Sequence, residues 1–235
     1  SHRMDSDIPL LIPNVNPDHL QLTKYQKTLR KWKGIIVTSP NCTATILTVA
    51  IAPIYRNFGI SQLYVSSMQA ISGAGYPGVP SLDIMGNIIP YIEKEEEKVQ
   101  TEPLKILGTP HNSGIKQASF SIQATCNRVP VHHGHTISVF IELPTRVAIT
   151  EIKKTLITSF STEKNGFRLI SLSEEPDRPQ PLKDVMKGNG MTVTIGRLRE
   201  TQKGLSFTCL GHNLILGAAG AAIANAKRVI QYLNR

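Results

Sequence analysis

Hydrophobic and polar positions along this chain follow two periods, and the change from one to the other divides it. From Ala44 to Tyr55 apolar residues recur at Ile46, Leu47, Ala50, Ile51 and Ile54, the spacing of a buried helix face. Just upstream, Gly34-Ile35-Ile36-Val37-Thr38 is short and β-branched and reads as a buried strand. A second strand is expected over 62–69, then a short helical piece over 81–87 and a charged helix over 93–107. Alternation over 119–127 and 136–143 predicts half-buried strands, followed by a helix over 149–160 and strands over 191–198 and 205–210. The chain closes on a long predicted helix, 213–233, whose small residues Gly217, Ala218, Gly220, Ala221 and Ala224 permit close approach to a sheet. Residues 1–33 are a lead with Pro9, Pro13 and Pro17, then a polar helical stretch. This order predicts an α+β fold: a mixed, mostly antiparallel sheet from about 62 to 210, helices on one face, the other face free to pair with a second copy.

Composition narrows the class. The chain has 235 residues, 40% of them hydrophobic, enough for a sizeable core. Three scattered cysteines (Cys42, Cys126, Cys209) imply no disulfide framework and suit a reducing, cytoplasmic compartment. Ser1-His2-Arg3-Met4-Asp5 has no secretion-signal character, and the apolar run 214–224 is too short to span a bilayer. The formal charge of +9 raises the question of nucleic acid. Its densest stretch, 24–33, has little aromatic interleaving and no zinc-finger or RNP pattern, so it reads as a solvated helix face. A diffuse positive field also suits a small anionic substrate. Neither a nucleic-acid nor a membrane partner is expected.

Cys42 is the residue around which chemistry can be built. It falls where a strand is predicted to end and a helix to begin, where free N–H groups and the dipole favour a thiolate. A lone cysteine taken by itself reads equally as a buried structural residue. Gly73-Ala74-Gly75-Tyr76-Pro77-Gly78 matches G-x-G-x-x-G, but Pro77 and Pro80 remove two donors and Pro80 disfavours helix at Val79. It is rejected as a dinucleotide fingerprint, and its glycines are read as allowing backbone close to a ligand or to the nucleophile. His132, His133 and His135 with Cys126 lack a recognised ligand spacing, so no metal is expected. On residue type alone, Gln69 reads as a turn hydrogen bond, Arg128 as a surface ion pair and Glu93 to Lys98 as a solvated run.

Several motifs in order change those readings: Ser39-Pro40-Asn41-Cys42-Thr43, the stretch Met68-Gln69-Ala70-Ile71-Ser72-Gly73, Cys126-Asn127-Arg128-Val129-Pro130-Val131 through Gly134-His135-Thr136, Gly188-Asn189-Gly190-Met191, Gly196-Arg197-Leu198-Arg199 and His212-Asn213. Together they resemble aspartate-semialdehyde dehydrogenase of the archaeal and fungal type. The resemblance implies a catalytic domain like the C-terminal domain of glyceraldehyde-3-phosphate dehydrogenase. It implies NADP-dependent interconversion of aspartyl phosphate and aspartate semialdehyde through a cysteine thioester, in lysine, threonine and methionine biosynthesis. By resemblance Cys42 is the nucleophile, His135 the general acid/base and Gln69 the group orienting the carbonyl. Arg128 would clamp the α-carboxylate, Glu95 meet the amino group and Lys98 the phosphate, with Asn41 beside the nucleophile. Ser72, Gly73 and Asn213 would touch the cofactor, and subunits would pair as a homodimer or homotetramer. The family's initial strand, glycine-rich turn and helix are not found. The expected division is therefore 1–41 as the tail of a nucleotide-binding domain, 42–210 as the catalytic and dimerisation domain, and 211–235 as a helix packing back on the former. A non-catalytic pairing module and an N-acetylglutamyl-phosphate reductase are the alternatives, and little turnover is expected from this chain alone.

Overall fold

A computed structural model describes residues 2–160 and 168–234. Ser1 and Arg235, the outer bounds of the two expected end segments, lie outside the described residues. The helices are α1 (Leu22–Arg30), α2 (Cys42–Phe58), α3 (Ser81–Ile84), α4 (Glu95–Ile106), α5 (Ile149–Thr158), α6 (Pro181–Asp184) and α7 (Gly220–Leu233). The strands are β1 (Gln62–Gln69), β2 (Thr109–His111), β3 (Gly114–Lys116), β4 (Ser121–Arg128), β5 (His135–Glu142), β6 (Ile170–Ser173), β7 (Val193–Thr201) and β8 (Gly204–Gly211). Six strands form one sheet in the order β4-β1-β5-β8-β7-β6, and β2 and β3 form a separate hairpin. The β1–β4 and β6–β7 pairs are parallel and the other three antiparallel, which gives the mixed, mostly antiparallel sheet the pattern predicts.

Period-two alternation sorts the sheet into two faces. Leu63, Val65, Ile137, Val139, Ile141, Leu205, Phe207 and Cys209 point inward and are buried. In register across the middle strands, Leu63 faces Ile141 and Val65 faces Val139, so the core forms between matched rows. Over this face lies α2, whose residues Thr43 to Ile54 are all buried, and α4 and α5 flank it. On the opposite face Tyr64 and Phe140 are cross-strand neighbours and both remain exposed.

Two expectations need correction, and some short strands had no expectation attached. Residues 34–38 form no strand: only Thr38 bridges, to Leu10, and the segment is half-buried. A β-branched apolar run becomes a strand only beside a partner, and among the described residues just this one pairing is offered. The closing helix does not begin at Asn213; a π-helical turn, Ile215–Ala219, precedes α7. The hairpin β2–β3 and the edge strand β6 were not anticipated, being three or four residues long with no sustained alternation.

Candidate active site

Asn41 sets the geometry around Cys42. It is the N-cap of α2, and its Oδ1 accepts from the N–H groups of Thr43 (2.9 Å) and Ala44 (3.1 Å). Two of the unpartnered donors at the helix start are thereby satisfied. Cys42 is the first residue of the helix, and its Sγ lies 3.2 Å from His135 Nε2. His135 opens β5 after Gly134, whose φ of +94° suits glycine. On its other side, His135 Nδ1 accepts the Ala70 N–H at 3.1 Å. A backbone N–H can only donate, so Nδ1 carries no proton and the neutral ring holds its proton on Nε2, facing the sulfur.

The electrostatics of this pair overturn the expectation of a depressed thiol pKa. Burial, then the charge of Glu95, pushes the Cys42 thiol up to about 11, although local hydrogen bonds around Thr43 pull the other way. Burial, then the Arg128 guanidinium, pushes His135 down to about 3. Sulfur and imidazole therefore rest as a neutral pair. The helix start acts in the predicted direction, but desolvation of the thiolate outweighs it. Cys126 and Cys209 lie in strands and are fully buried, whereas Cys42 is partly accessible.

The parallel β1–β4 register places Gln69 opposite Arg128, so both strands end together at the site. Arg128 is buried and its Nη1 donates to the Ala70 carbonyl at 2.9 Å. Among the described residues no carboxylate lies within ion-pair distance of its guanidinium. It is therefore not a surface ion pair. Gln69 is also buried, and its Nε2 donates to Ser67 Oγ at 3.1 Å.

The charged stretch is not simply a solvated run. Glu95 is buried on α4, where both its oxygens accept from Asn41 Nδ2 at 3.0 Å and Oε1 accepts from Thr43 Oγ1 at 3.1 Å. Lys98, partly exposed, pairs with Glu95 at 3.6 Å. One helical turn on, Glu102 Oε2 accepts the Asn41 N–H at 2.6 Å, a contact the sequence reading missed. The available signal was its spacing of seven from Glu95, which keeps both residues on one helix face.

Ser72, Gly73 and Asn213 also gather here. Asn213 is buried; its Oδ1 accepts the Gly134 N–H (2.9 Å) and its Nδ2 donates to Ser72 Oγ (2.9 Å). A Cβ on Gly73 would lie 2.9 Å from both Arg128 Nη1 and His135 Cε1, so the glycine lets an exposed backbone turn sit directly on Arg128 and His135. His133 and His212 stack with centroids 5.3 Å apart, and His133 Nδ1 lies 3.1 Å from Ser72 Oγ. The glycine motif opens on the end of a 3-10 turn, Ile71–Ala74, and is otherwise loop: Gly75 and Gly78 have φ of +73° and +89°, and the next helix begins only at Ser81. Gly217 is another residue missed; a Cβ there would fall 2.5 Å from Cys42 Cβ. The small-residue stripe signalled close packing, but against a sheet rather than the nucleophile.

Comparison with known proteins agrees with this geometry. Residues 51–216 match the family model described as semialdehyde dehydrogenase, dimerisation domain. The aspartate-semialdehyde dehydrogenase of Archaeoglobus fulgidus is 48% identical over 238 residues, covering 98% of this chain and 68% of that protein. The chain belongs to the aspartate-semialdehyde dehydrogenase family. A crystal structure of that enzyme with NADP from Candida albicans superimposes with a TM-score of 0.82 at 32% identity, covering 99% of this chain and 68% of the other. The malonyl-CoA reductase (NADP) of Metallosphaera sedula is 34% identical, covering 98% of this chain and 68% of that protein. Aspartate-semialdehyde dehydrogenase family membership thus makes this an oxidoreductase sequence, while the acyl substrate has to be argued from the site.

Proposed function

We propose that this chain carries the substrate half of an NADP-dependent aspartate-semialdehyde dehydrogenase, with Cys42 as the nucleophile. The observation that supports this best is Cys42 Sγ at 3.2 Å from the Nε2 of a buried His135, at the N-terminus of α2. The Cys42 sulfur attacks the carbonyl of aspartyl phosphate, the C–O bond to phosphate breaks, and the leaving phosphate carries off the thiol proton, leaving a thioester on the sulfur. The cofactor supplies the hydride that reduces this thioester. His135 donates its Nε2–H hydrogen bond to the carbonyl oxygen as the hydride arrives and steadies the resulting hemithioacetal oxyanion, whose collapse breaks the C–S bond with no proton lost from the neutral ring. Release of the aldehyde returns the Cys42 thiolate.

Arg128 suits the substrate's α-carboxylate because its fork is buried without an ion-pair partner and matches two carboxylate oxygens. Glu95 takes the amino group and Lys98 the phosphate. A buried carboxylate at this place favours an aspartyl over a malonyl group, which has no ammonium. Gln69 orients the carbonyl once its bond to Ser67 is released. Ser72 and the exposed turn at Gly73 hold the nicotinamide end, and Asn213 supports them through Ser72 because both ends of its amide are already engaged.

In this reading residues 42–210 are the catalytic and dimerisation domain. Residues 1–41 and 211–235 are the parts that meet a nucleotide-binding domain, and copies pair as a homodimer or homotetramer in the cytoplasm. Asn225 ties the two end segments together, its Nδ2 donating to the Leu11 carbonyl at 3.1 Å and to Ser39 Oγ at 2.9 Å. Hydride transfer needs the reacting atoms held at about 3–3.5 Å. Among the described residues there is no strand, glycine turn and helix start to grip a pyrophosphate, so this chain alone should turn over little. The test is NADP reduction with aspartate semialdehyde and phosphate, for this chain and for a form with a nucleotide-binding segment added. Reduction in the second sample that survives Cys42→Ser would refute the assignment.

A further inference from the structure

We infer that Glu102 is a positioning residue for the nucleophile, holding the main-chain N–H of Asn41, the residue before Cys42; this rests on Cys42 being the nucleophile. Asn41 has two kinds of donor, and α4 takes both. Its side-chain amide goes to Glu95, while its main-chain N–H goes to Glu102 Oε2 at 2.6 Å, a short charge-assisted bond. Its remaining side-chain acceptor caps α2. The residue before Cys42 is thus fixed through its main-chain N–H and both ends of its amide; its carbonyl accepts from the N–H (2.8 Å) and Oγ1 (2.9 Å) of Thr45 within α2, so Glu102 is the one contact on this residue that ties its main chain to another element.

Glu102 is expensive to keep there. It is 2% exposed, burial raises its carboxyl above the usual range, and the charge of Glu95 adds to that rise. The Asn41 N–H and Arg3 oppose the rise, Arg3 Nη1 reaching Glu102 Oε1 at 3.3 Å from the N-terminal lead. A purely apolar contact could fill this volume without that desolvation. What the carboxylate adds is a directed acceptor for one amide, one residue upstream of the sulfur. The same helix secures the lead from which Arg3 comes, because Lys105 Nζ donates to the carbonyls of Arg3 and Asp5 (2.6 Å each) and Ile8 (2.9 Å).

The test compares Glu102→Gln, Glu102→Asp and Glu102→Ala by the rate of iodoacetamide labelling at Cys42, with Cys126 and Cys209 as internal reporters of unfolding. Gln keeps an acceptor at the same reach without the charge, and Asp keeps the charge but withdraws the acceptor by one methylene. Positioning predicts Gln within about threefold of the parent and Asp and Ala slowed roughly tenfold or more, with the other two thiols still protected. The inference is overturned if Asp tracks the parent while Gln is slowed, which would make charge the operative property. It is equally overturned if all three variants label at the parent rate. Should Ala expose every thiol, the Gln and Asp pair decides. Unselective labelling in the parent would instead count against Cys42 as nucleophile, so the two failures are distinguishable.

Discussion

Cys42 should titrate late, and the consequence is measurable in its labelling rate. With the thiol pushed up to about 11 by burial first and Glu95 second, the thiolate fraction at pH 8 is about one in a thousand. Only the thiolate reacts, so iodoacetamide labelling should climb nearly tenfold per pH unit from 7 to 10, without a plateau. Cys126 and Cys209 are buried and should stay unlabelled while the fold holds. Glu95→Gln removes the second cause and leaves the first, so the midpoint should move down and the rate at pH 8 should rise, while remaining slower than a free thiol. The sign for stability follows from the same shift: a thiol raised from 9.0 to about 11 contributes stability that is complete below about 9 and lost as pH rises through about 11. A thiolate–imidazolium pair with His135 would behave otherwise, because the thiolate would already be formed and the rate would be flat from pH 7 to 9. A flat profile would therefore refute both the burial argument and the reading of His135 Nδ1 as unprotonated.

Further outcomes follow from individual contacts. Gly217→Ala places a Cβ 2.5 Å from Cys42 Cβ and 3.0 Å from its Cα, about 1 Å inside ordinary carbon contact, so it should cost about 1–3 kcal/mol in urea denaturation; an unchanged midpoint would show that this approach is not tight. Arg128→Lys keeps charge but loses the two-bond fork, and in a form with a nucleotide-binding segment it should raise KM for aspartate semialdehyde by tenfold or more (~1.4 kcal/mol); unchanged kinetics would remove Arg128 from the site. Phe140→Asp puts a charge on the exposed sheet face beside Tyr64 and should shift light scattering towards monomer; a parent that is already monomeric would rule out pairing through this face.

The central helix was legible because an apolar face recurs at helical spacing from Ile46 to Ile54; that Asn41 caps it became visible only in the fold. The middle strands were legible for a similar reason, since alternation over 119–127 and 136–143 survives in β4 and β5 with shifts of one or two residues. Residues 34–38 were misread because apolar β-branched composition describes a side-chain surface, whereas a strand also requires a neighbour. For Glu95 and Glu102 the difficulty was burial. Three consecutive glutamates look solvated in one dimension, and only the packing of α4 against β4 and α2 decides which of them faces inward. His135 was selected over His132 and His133 by motif alone. The physical reason appears in the fold: it is the histidine that reaches Cys42, with the Ala70 N–H fixing the ring from behind.

The Cys42 pKa shows where local reasoning stops and the site's own logic begins. A helix start predicts a stabilised thiolate, yet this one sits beside Glu95 in a space whose nearest uncommitted charge is Arg128. Arg128 also depresses His135, second to burial, so burial and this cation together keep the imidazole neutral while no substrate is bound. In the proposed reading, a carboxylate bound by Arg128 cancels that influence and leaves burial as the chief remaining cause, so His135 should exchange its proton more readily when substrate is in place. Substrate binding and proton readiness are then linked through a single guanidinium, and Arg128→Gln, which removes the charge that Arg128→Lys keeps, separates the two. If Gln and Lys both raised KM and neither moved the pH dependence of kcat/KM, Arg128 would be a clamp only. If Gln moved that pH dependence and Lys did not, the cation would also govern His135.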